Sequence, residues 1–382
     1  MLDRRSFLAR GGAATLALGF APRIAFARAA TDRRFVFIIQ RGAADGLGTL
    51  APLGDPAFAG LRGPFADDFD KGMKLDGMFT LHPNLATLGS LYQQRQAIFA
   101  HAVASPYRDR SHFDGQNVLE TGAAGAYQVK DGWMNRLLGL LPANEARAMA
   151  ISATVPMALR GPHDVDSYAP SNLPQASDDL IQRVSMMYDG DAQLHQLWSE
   201  AMSTRALAGD LTADNGKGGA STGALAAKLL APADGARIAM IETGGWDTHA
   251  AQRGRLAGQL KGLDGLVASL KDGLGPLWAN TLVVIATEFG RTAAVNGTNG
   301  TDHGTASCAM LLGGAVRGGR IVADWPGLKQ NALYEGRDLR PTTSLDGLIG
   351  GAMASHFAVD PGRLMPTLFP GAADTRVVEG LV

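Results

Sequence analysis

The chain has 382 residues, 46% hydrophobic and 19% charged, which describes a globular core and excludes a disordered or fibrous protein. Its formal net charge of −1 provides no global field to attract nucleic acid or an anionic membrane, and no nucleic-acid partner is expected. Cys308 is the only cysteine, so no internal disulfide can form and stability must come from the core.

The first element is a targeting segment. Asp3-Arg4-Arg5-Ser6-Phe7-Leu8 sets two arginines before a polar residue, Phe and Leu. An apolar, Gly/Ala-rich run follows from Gly11 to Pro22, and Ala25-Phe26-Ala27 supplies a small-residue cleavage site. That run is shorter than the roughly 20 apolar residues needed to cross a bilayer. Residues 1–27 therefore read as a twin-arginine signal peptide. The reading predicts recognition by the twin-arginine export machinery and cleavage near Ala27. It also predicts no stable membrane span afterwards, and a folded protein working in the periplasm or outside the cell.

Beyond the signal, short apolar runs predict buried strands at Phe35–Ile39, Ala97–Val103, Ala148–Thr154, Arg237–Ile241, Thr281–Ala286 and Cys308–Leu312. Helical patterns alternate with them. Leu85, Leu88, Leu91 and Tyr92 share one face, and Leu256, Leu260, Leu263, Val267, Leu270 and Leu274 recur at spacings of three and four. Alternation of this kind predicts an α/β fold with a central, mostly parallel sheet and helices on both faces. Residues 31–382 are expected to form a single domain with a helical insertion around 131–235. Within that insertion, Asp210–Ser221 reads as an exposed connection.

In an open α/β sheet, ligands bind beyond the carboxyl ends of the strands. Five polar segments fall at such places: Gln40 to Gly46, Ser105 to Asp114, Glu242 to His249, Thr287 to Thr292 and Gly300 to Gly304. The last precedes its strand, so it reaches the common edge only if that strand runs antiparallel or the loop is long. Asp45, Asp247, His249, Glu288 and His303 together offer the oxygen and nitrogen donors that a divalent metal needs. Taken singly, each has a plainer reading. Asp45 and Asp302-His303-Gly304 suit turns, Asp247 suits a helix cap, and Glu288 suits a pair with Arg291. Ser111 reads either as an N-cap or as a nucleophile or phosphate-contacting group at a positive helix end beside Arg108 and Arg110. His101 reads as a core histidine, and His82, His163, His195 and His356 as surface or packing residues.

Several segments, in order, resemble the bacterial domain of unknown function 1501 family. They are Arg41 to Leu47, Ser111-His112-Phe113, Gly244 to His249, Glu288 to Thr292 and Thr301 to Gly304, with Asp324 to Leu328 and Gly336-Arg337-Asp338-Leu339 continuing the match. That family is similar to the alkaline phosphatase and sulfatase superfamily, which hydrolyses phosphate or sulfate esters on a metal-bearing α/β fold. The stretch from His82-Pro83-Asn84-Leu85 to Glu120-Thr121-Gly122 is similar to the superfamily's nucleophile region, which puts the nucleophile near Ser111 or His112. The resemblance implies metal ligation by Asp45, Asp247, His249, Glu288 and His303, or a subset, with a divalent ion such as Zn, Mn or Ca. It implies attack by Ser111 on a small-molecule ester substrate, with Arg108, Arg110 or Arg291 stabilising the transferred group. The departures are equally specific. Phe289 stands where the superfamily has a histidine ligand, the Asp247/His249 spacing is shorter, and no Cys-x-Pro-x-Arg is present. These imply either a mononuclear site or a non-catalytic binding or assembly protein that keeps part of the site and takes an anionic ligand.

Overall fold

A computed structural model describes residues 33–142, 147–169, 178–188, 190–191, 194–199, 201–202, 218–233 and 235–382. The signal-peptide segment and most of the Asp210–Ser221 connection lie outside the described residues.

The apolar runs assemble into one nine-stranded sheet. In chain order its strands are β1 (Arg34–Gln40), β2 (Ala97–Ala104), β3 (Ala148–Ile151), β4 (Asp166–Ser167) and β5 (Ile238–Thr243). After these come β6 (Thr281–Ala286), β7 (Ser307–Leu312), β8 (Arg320–Val322) and β9 (Thr343–Ser344). The spatial order is β8-β2-β7-β6-β1-β5-β3-β4, with β9 beside β2. β7 runs antiparallel to both its neighbours, and all the other pairings are parallel.

Side chains alternate through the sheet. Phe35, Phe37 and Ile39 of β1 enter one core, Val36 and Ile38 the other, and all five are fully buried. With both faces covered, neither set can be polar, and the strand is apolar between its end residues Arg34 and Gln40. The second face carries α1 (Ala86–Gln93), α3 (Gly219–Leu230) and α4 (Gln252–Leu274). The first carries the segment Trp133–Leu138 together with α5 (Leu345–Phe357) and α6 (Pro361–Leu368). Trp133 anchors that side: its ring packs on Phe35, Phe37 and Phe369, and its indole N–H donates to the Leu119 carbonyl at 3.1 Å. Leu119 belongs to α2 (His112–Thr121). The α/β architecture with a mostly parallel sheet and helices on both faces is as the sequence predicts. Residues 131–235 contribute β3 and β4 to the sheet in addition to helices.

β1, β5 and β6 end at one edge, and the antiparallel β7 begins there. The loop before β7 therefore joins the loops after the other strands, and this gathers the polar segments.

Candidate functional site

Three imidazoles and a carboxylate converge at this edge. His112 comes from the first turn of α2, Asp247 and His249 from the loop after β5, and His303 from the loop before β7. One donor atom each from His112, Asp247 and His303 lie within 4.8 Å of one another. His249 Nε2 lies 3.0 Å from both Asp247 Oδ1 and His303 Nε2, and His303 Nε2 lies 3.3 Å from Asp247 Oδ1. His112 Nε2 faces Asp247 Oδ2 at 3.5 Å.

Each imidazole is held from behind through Nδ1. His112 Nδ1 bonds Glu288 Oε1 at 2.8 Å, His249 Nδ1 bonds Asp302 Oδ1 at 3.0 Å, and His303 Nδ1 bonds the Arg110 carbonyl at 3.0 Å. Carboxylates and carbonyls only accept, so each Nδ1 donates its proton. In the neutral rings the Nε2 lone pairs then all point into the site, the arrangement that fixes histidine ligands around a metal. His112 Nε2 is buried and has no hydrogen-bond partner, and His249 and His303 set two such nitrogens face to face. Among the described residues the donors that all lie within 4.8 Å of one another belong to His112, Asp247 and His303, and His249 Nε2 stands 3.0 Å from two of these residues. These residues therefore fit a divalent metal ion.

The electrostatics fit the same arrangement. The bond to Glu288 raises the pKa of His112 and makes its ring a stronger base. Burial, joined by the nearby His112 charge, lowers that of His303 and favours its neutral form. Burial pushes the Asp247 carboxyl up, but the Arg291 hydrogen bond and charge outweigh it and hold Asp247 below the ordinary range. Glu288 is fully buried, which raises its pKa; the bonds from His112, Gln116 and the Gly42 amide prevail and keep it ionised. Gly42 has φ +116°, and a Cβ there would stand 2.6 Å from the Asp247 amide nitrogen, so only glycine lets the loop after β1 pass this close.

The expected ligands thus separate into two groups. Asp247, His249 and His303 are brought together. Glu288 stands behind His112 and orients it. Asp45 is not brought into the cluster: its carboxylate takes Arg62 at 2.5 and 3.0 Å and Gln252 at 2.5 Å, in a fully buried knot. Burial raises the Asp45 pKa and the Arg62 charge more than offsets that. Phe289 supplies no ligand; its ring stacks on His112 with centroids 5.1 Å apart and packs against His303 at 5.4 Å, so it walls the two imidazoles.

Two of the three arginines expected to face substrate, Arg291 and Arg110, are occupied by protein acceptors, whereas Arg108, among the described residues, bonds only the Ser105 and Tyr107 carbonyls, through Nη1. Arg291, fully buried, bonds Asp247 Oδ1 at 2.6 Å, Thr301 Oγ1 at 3.2 Å and the Thr301 carbonyl. Arg110 bonds Asp338 at 2.9 Å through Nε and Glu335 at 2.5 Å. Both hold the frame. Asp338, itself fully buried, also bonds Thr305 at 2.8 Å and Arg337 at 2.8 Å, and Arg337 reaches the His303 carbonyl. Asp338 thereby ties the Arg110 loop to the His303 loop.

Ser111 is the N-cap residue of α2 by position, with extended backbone, yet its side chain makes no capping bond. It lies between Arg110, whose carbonyl holds His303, and His112. The remaining histidines pack or face solvent. His101 is fully buried with Nε2 against the Leu50 carbonyl, and burial lowers its pKa to about 4; His356 is buried on the Arg34 carbonyl. His82 is buried and accepts from the Asn84 amide, while His163 and His195 are exposed.

A family model described as "Protein of unknown function (DUF1501)" matches residues 32–343. The chain belongs to the DUF1501 family. No curated protein sequence matches it. Solved structures similar to it include the C-terminal periplasmic domain of EcEptC from Escherichia coli in complex with Zn, at 9% identity, covering 75% of this chain and 74% of that one, with a TM-score of 0.36. Alkaline phosphatase from the Antarctic bacterium TAB5 matches at 11% identity, over 76% and 94% of the two chains, with a TM-score of 0.35. Phosphonate monoester hydrolase of Agrobacterium radiobacter matches at 10% identity, over 90% and 79%, with a TM-score of 0.36. At these scores none of the three bears on the chemistry of this site.

Proposed function

We propose that this protein is an exported, metal-dependent hydrolase of phosphate, sulfate or related esters, with a mononuclear site held by His112, Asp247, His249 and His303. The observation that carries the reading is the convergence of His112, Asp247 and His303, with His249 Nε2 against the last two and each imidazole anchored through Nδ1. An imidazole-rich set favours Zn²⁺ over Ca²⁺ or Mn²⁺, which take oxygen-rich shells. A divalent ion bound there supplies Lewis-acid stabilisation of the charge that builds on the ester oxygens. The chain's own residues do the rest. Ser111 Oγ attacks the central atom of the ester from the N-terminal end of α2, where helix amides favour an anion. The alcohol departs with the serine proton, and water then releases the transferred group and restores Ser111. Arg291 fixes Asp247, and Arg110 fixes the backbone that presents Ser111. Export rests on the Arg4-Arg5 signal, with residues 31–382 as the mature domain.

The test is a screen of phosphomonoesters, phosphodiesters and sulfate esters with Zn²⁺-supplemented protein, followed by intact-mass measurement on acid quench. Turnover that Ser111→Ala abolishes, with a trapped adduct on Ser111, supports the reading. Turnover that survives the change removes the nucleophile role. The occupied guanidinium groups of Arg110 and Arg291 favour a second reading, an anion-binding protein without turnover. A thermal shift by phosphate or sulfate with no hydrolysis of any ester identifies it.

A further inference from the structure

On the first face of the sheet, a cavity of about 250 Å³ lies under the start of the loop that leads to Ser111. Its wall includes Ser105 and Arg108 from that loop, Thr343 and Asp346 at the N-terminus of α5, and Gly371 and Thr375 from the C-terminal segment. None of the metal-site residues lines it.

Two of these groups lack the partner that their chemistry demands. Asp346 is 2% exposed, and its Oδ2 is buried without a hydrogen-bond partner. Arg108 is half-buried and spends one nitrogen, Nη1, on the carbonyls of Ser105 and Tyr107. Among the described residues it forms no ion pair, with Asp346 or with any other carboxylate. The orphaned, buried Asp346 carboxyl costs stability unless something donates to it, and the Arg108 guanidinium lines the same cavity with nitrogens to spare. Asp346 is not needed as a helix cap. The N-terminus of α5 is already capped by Ser344, whose hydroxyl accepts from the Gly347 amide at 3.2 Å.

We propose that this cavity is a second binding site, and that it takes a small carboxylate bearing an amino or hydroxyl group, an amino acid or hydroxy acid. The carboxylate pairs with the free nitrogens of Arg108 in the fork geometry that guanidinium offers. The amino or hydroxyl group donates to Asp346, and the hydroxyls of Ser105 and Thr343 lie in the same wall. With Asp346 ionised the pair is neutral and suits a zwitterion, and with Asp346 protonated the guanidinium alone balances one negative charge; either way a dianion such as a phosphate monoester is disfavoured. A volume of about 250 Å³ admits a molecule of amino-acid size. The raised pKa of Asp346, about 7 through burial, is what an acceptor awaiting a donor should show.

The experiment is calorimetry and thermal shift on the full mature chain with serine, alanine, lactate and glycerate. Propionate and ethylamine serve as single-group controls, and each titration is run with and without chelator. The proposal predicts binding by at least one bifunctional acid that persists in chelator, weakens at least tenfold in Asp346→Ala and in Arg108→Gln, and exceeds that of either control. Retained melting transitions verify that both variants are folded. No binding by any bifunctional acid overturns the proposal, as does binding that both variants keep. Binding that chelator abolishes overturns it too, because it assigns the ligand to the metal centre.

Discussion

His249 and His303 face each other through their Nε2 atoms at 3.0 Å, and each ring has given its Nδ1 proton to a different acceptor. Two lone pairs at that separation repel unless a proton or a metal ion lies between them, and the Asp247 carboxylate on the same side favours that positive charge. The Nδ1 anchoring, and not only the residue types present, supports the proposed metal site.

Glu288 touches the site only through His112, which makes it a test of that logic. Glu288→Gln keeps the shape but removes the charge that makes the His112 ring basic. Loss of such a partner costs about 10–100-fold in metal affinity. Competition with a chromophoric chelator should read a change of that size with every proposed ligand still in place. Unchanged affinity would separate Glu288 from the site.

Asp338→Asn should loosen two loops at once. The buried carboxylate holds Arg110 and Thr305, so its loss leaves a guanidinium short of a partner. Arg110 is partly exposed and keeps Glu335, so the loss of this charge-assisted bond costs about 1–3 kcal/mol. Urea denaturation should show that loss, together with weaker metal binding, because the His303 loop moves with it. A variant as stable as the parent contradicts the role given to Asp338.

Asp346 sets a pH dependence of stability whose sign is fixed. Burial raises its folded pKa to about 7 from an ordinary value of 3.8. Between those values the folded state keeps a proton that the unfolded state has released, so stability falls as pH rises and levels off above about 7. Asp346→Asn removes this slope. Its melting temperature should exceed the parent's at pH 8, with the gap closing toward pH 5. An equal gap at both values would show that Asp346 does not titrate in this range.

Replacing Arg4 and Arg5 together by Lys should leave precursor in the cytoplasm, since twin-arginine export reads that pair. Fractionation and immunoblotting check it. Normal cleavage near Ala27 in the double variant would contradict the signal.

Much of the fold was legible because burial on both faces leaves a simple trace. β6 coincides with the run Thr281–Ala286, and α4 contains the whole Leu256–Leu274 heptad-like series. The antiparallel course of β7, which lets His303 reach the common edge, was legible only as a condition; pairing direction depends on neighbours distant in sequence. Within the site, Asp247, His249 and His303 could be found because they sit at strand-end loops. His112 was harder to place. It adjoins Ser111 at a helix start, where a serine draws attention as cap or nucleophile, and nothing local shows that Glu288, 176 residues away, will turn its ring. Asp45 and Arg110 show the opposite case. Their residue types suit a site, but Arg62 and Asp338 are brought to them by tertiary contacts that no local pattern announces.

The central claim is tested most directly by elemental analysis of the mature protein, purified without chelator, alongside His112→Ala and His303→Ala. The account predicts close to one equivalent of a divalent transition metal, zinc first, in the parent and a large loss in both variants. A metal bound only by the folded state should also raise the parent's melting temperature and leave the variants unmoved. A parent that contains no metal, and gains no stability from added Zn²⁺, contradicts the account.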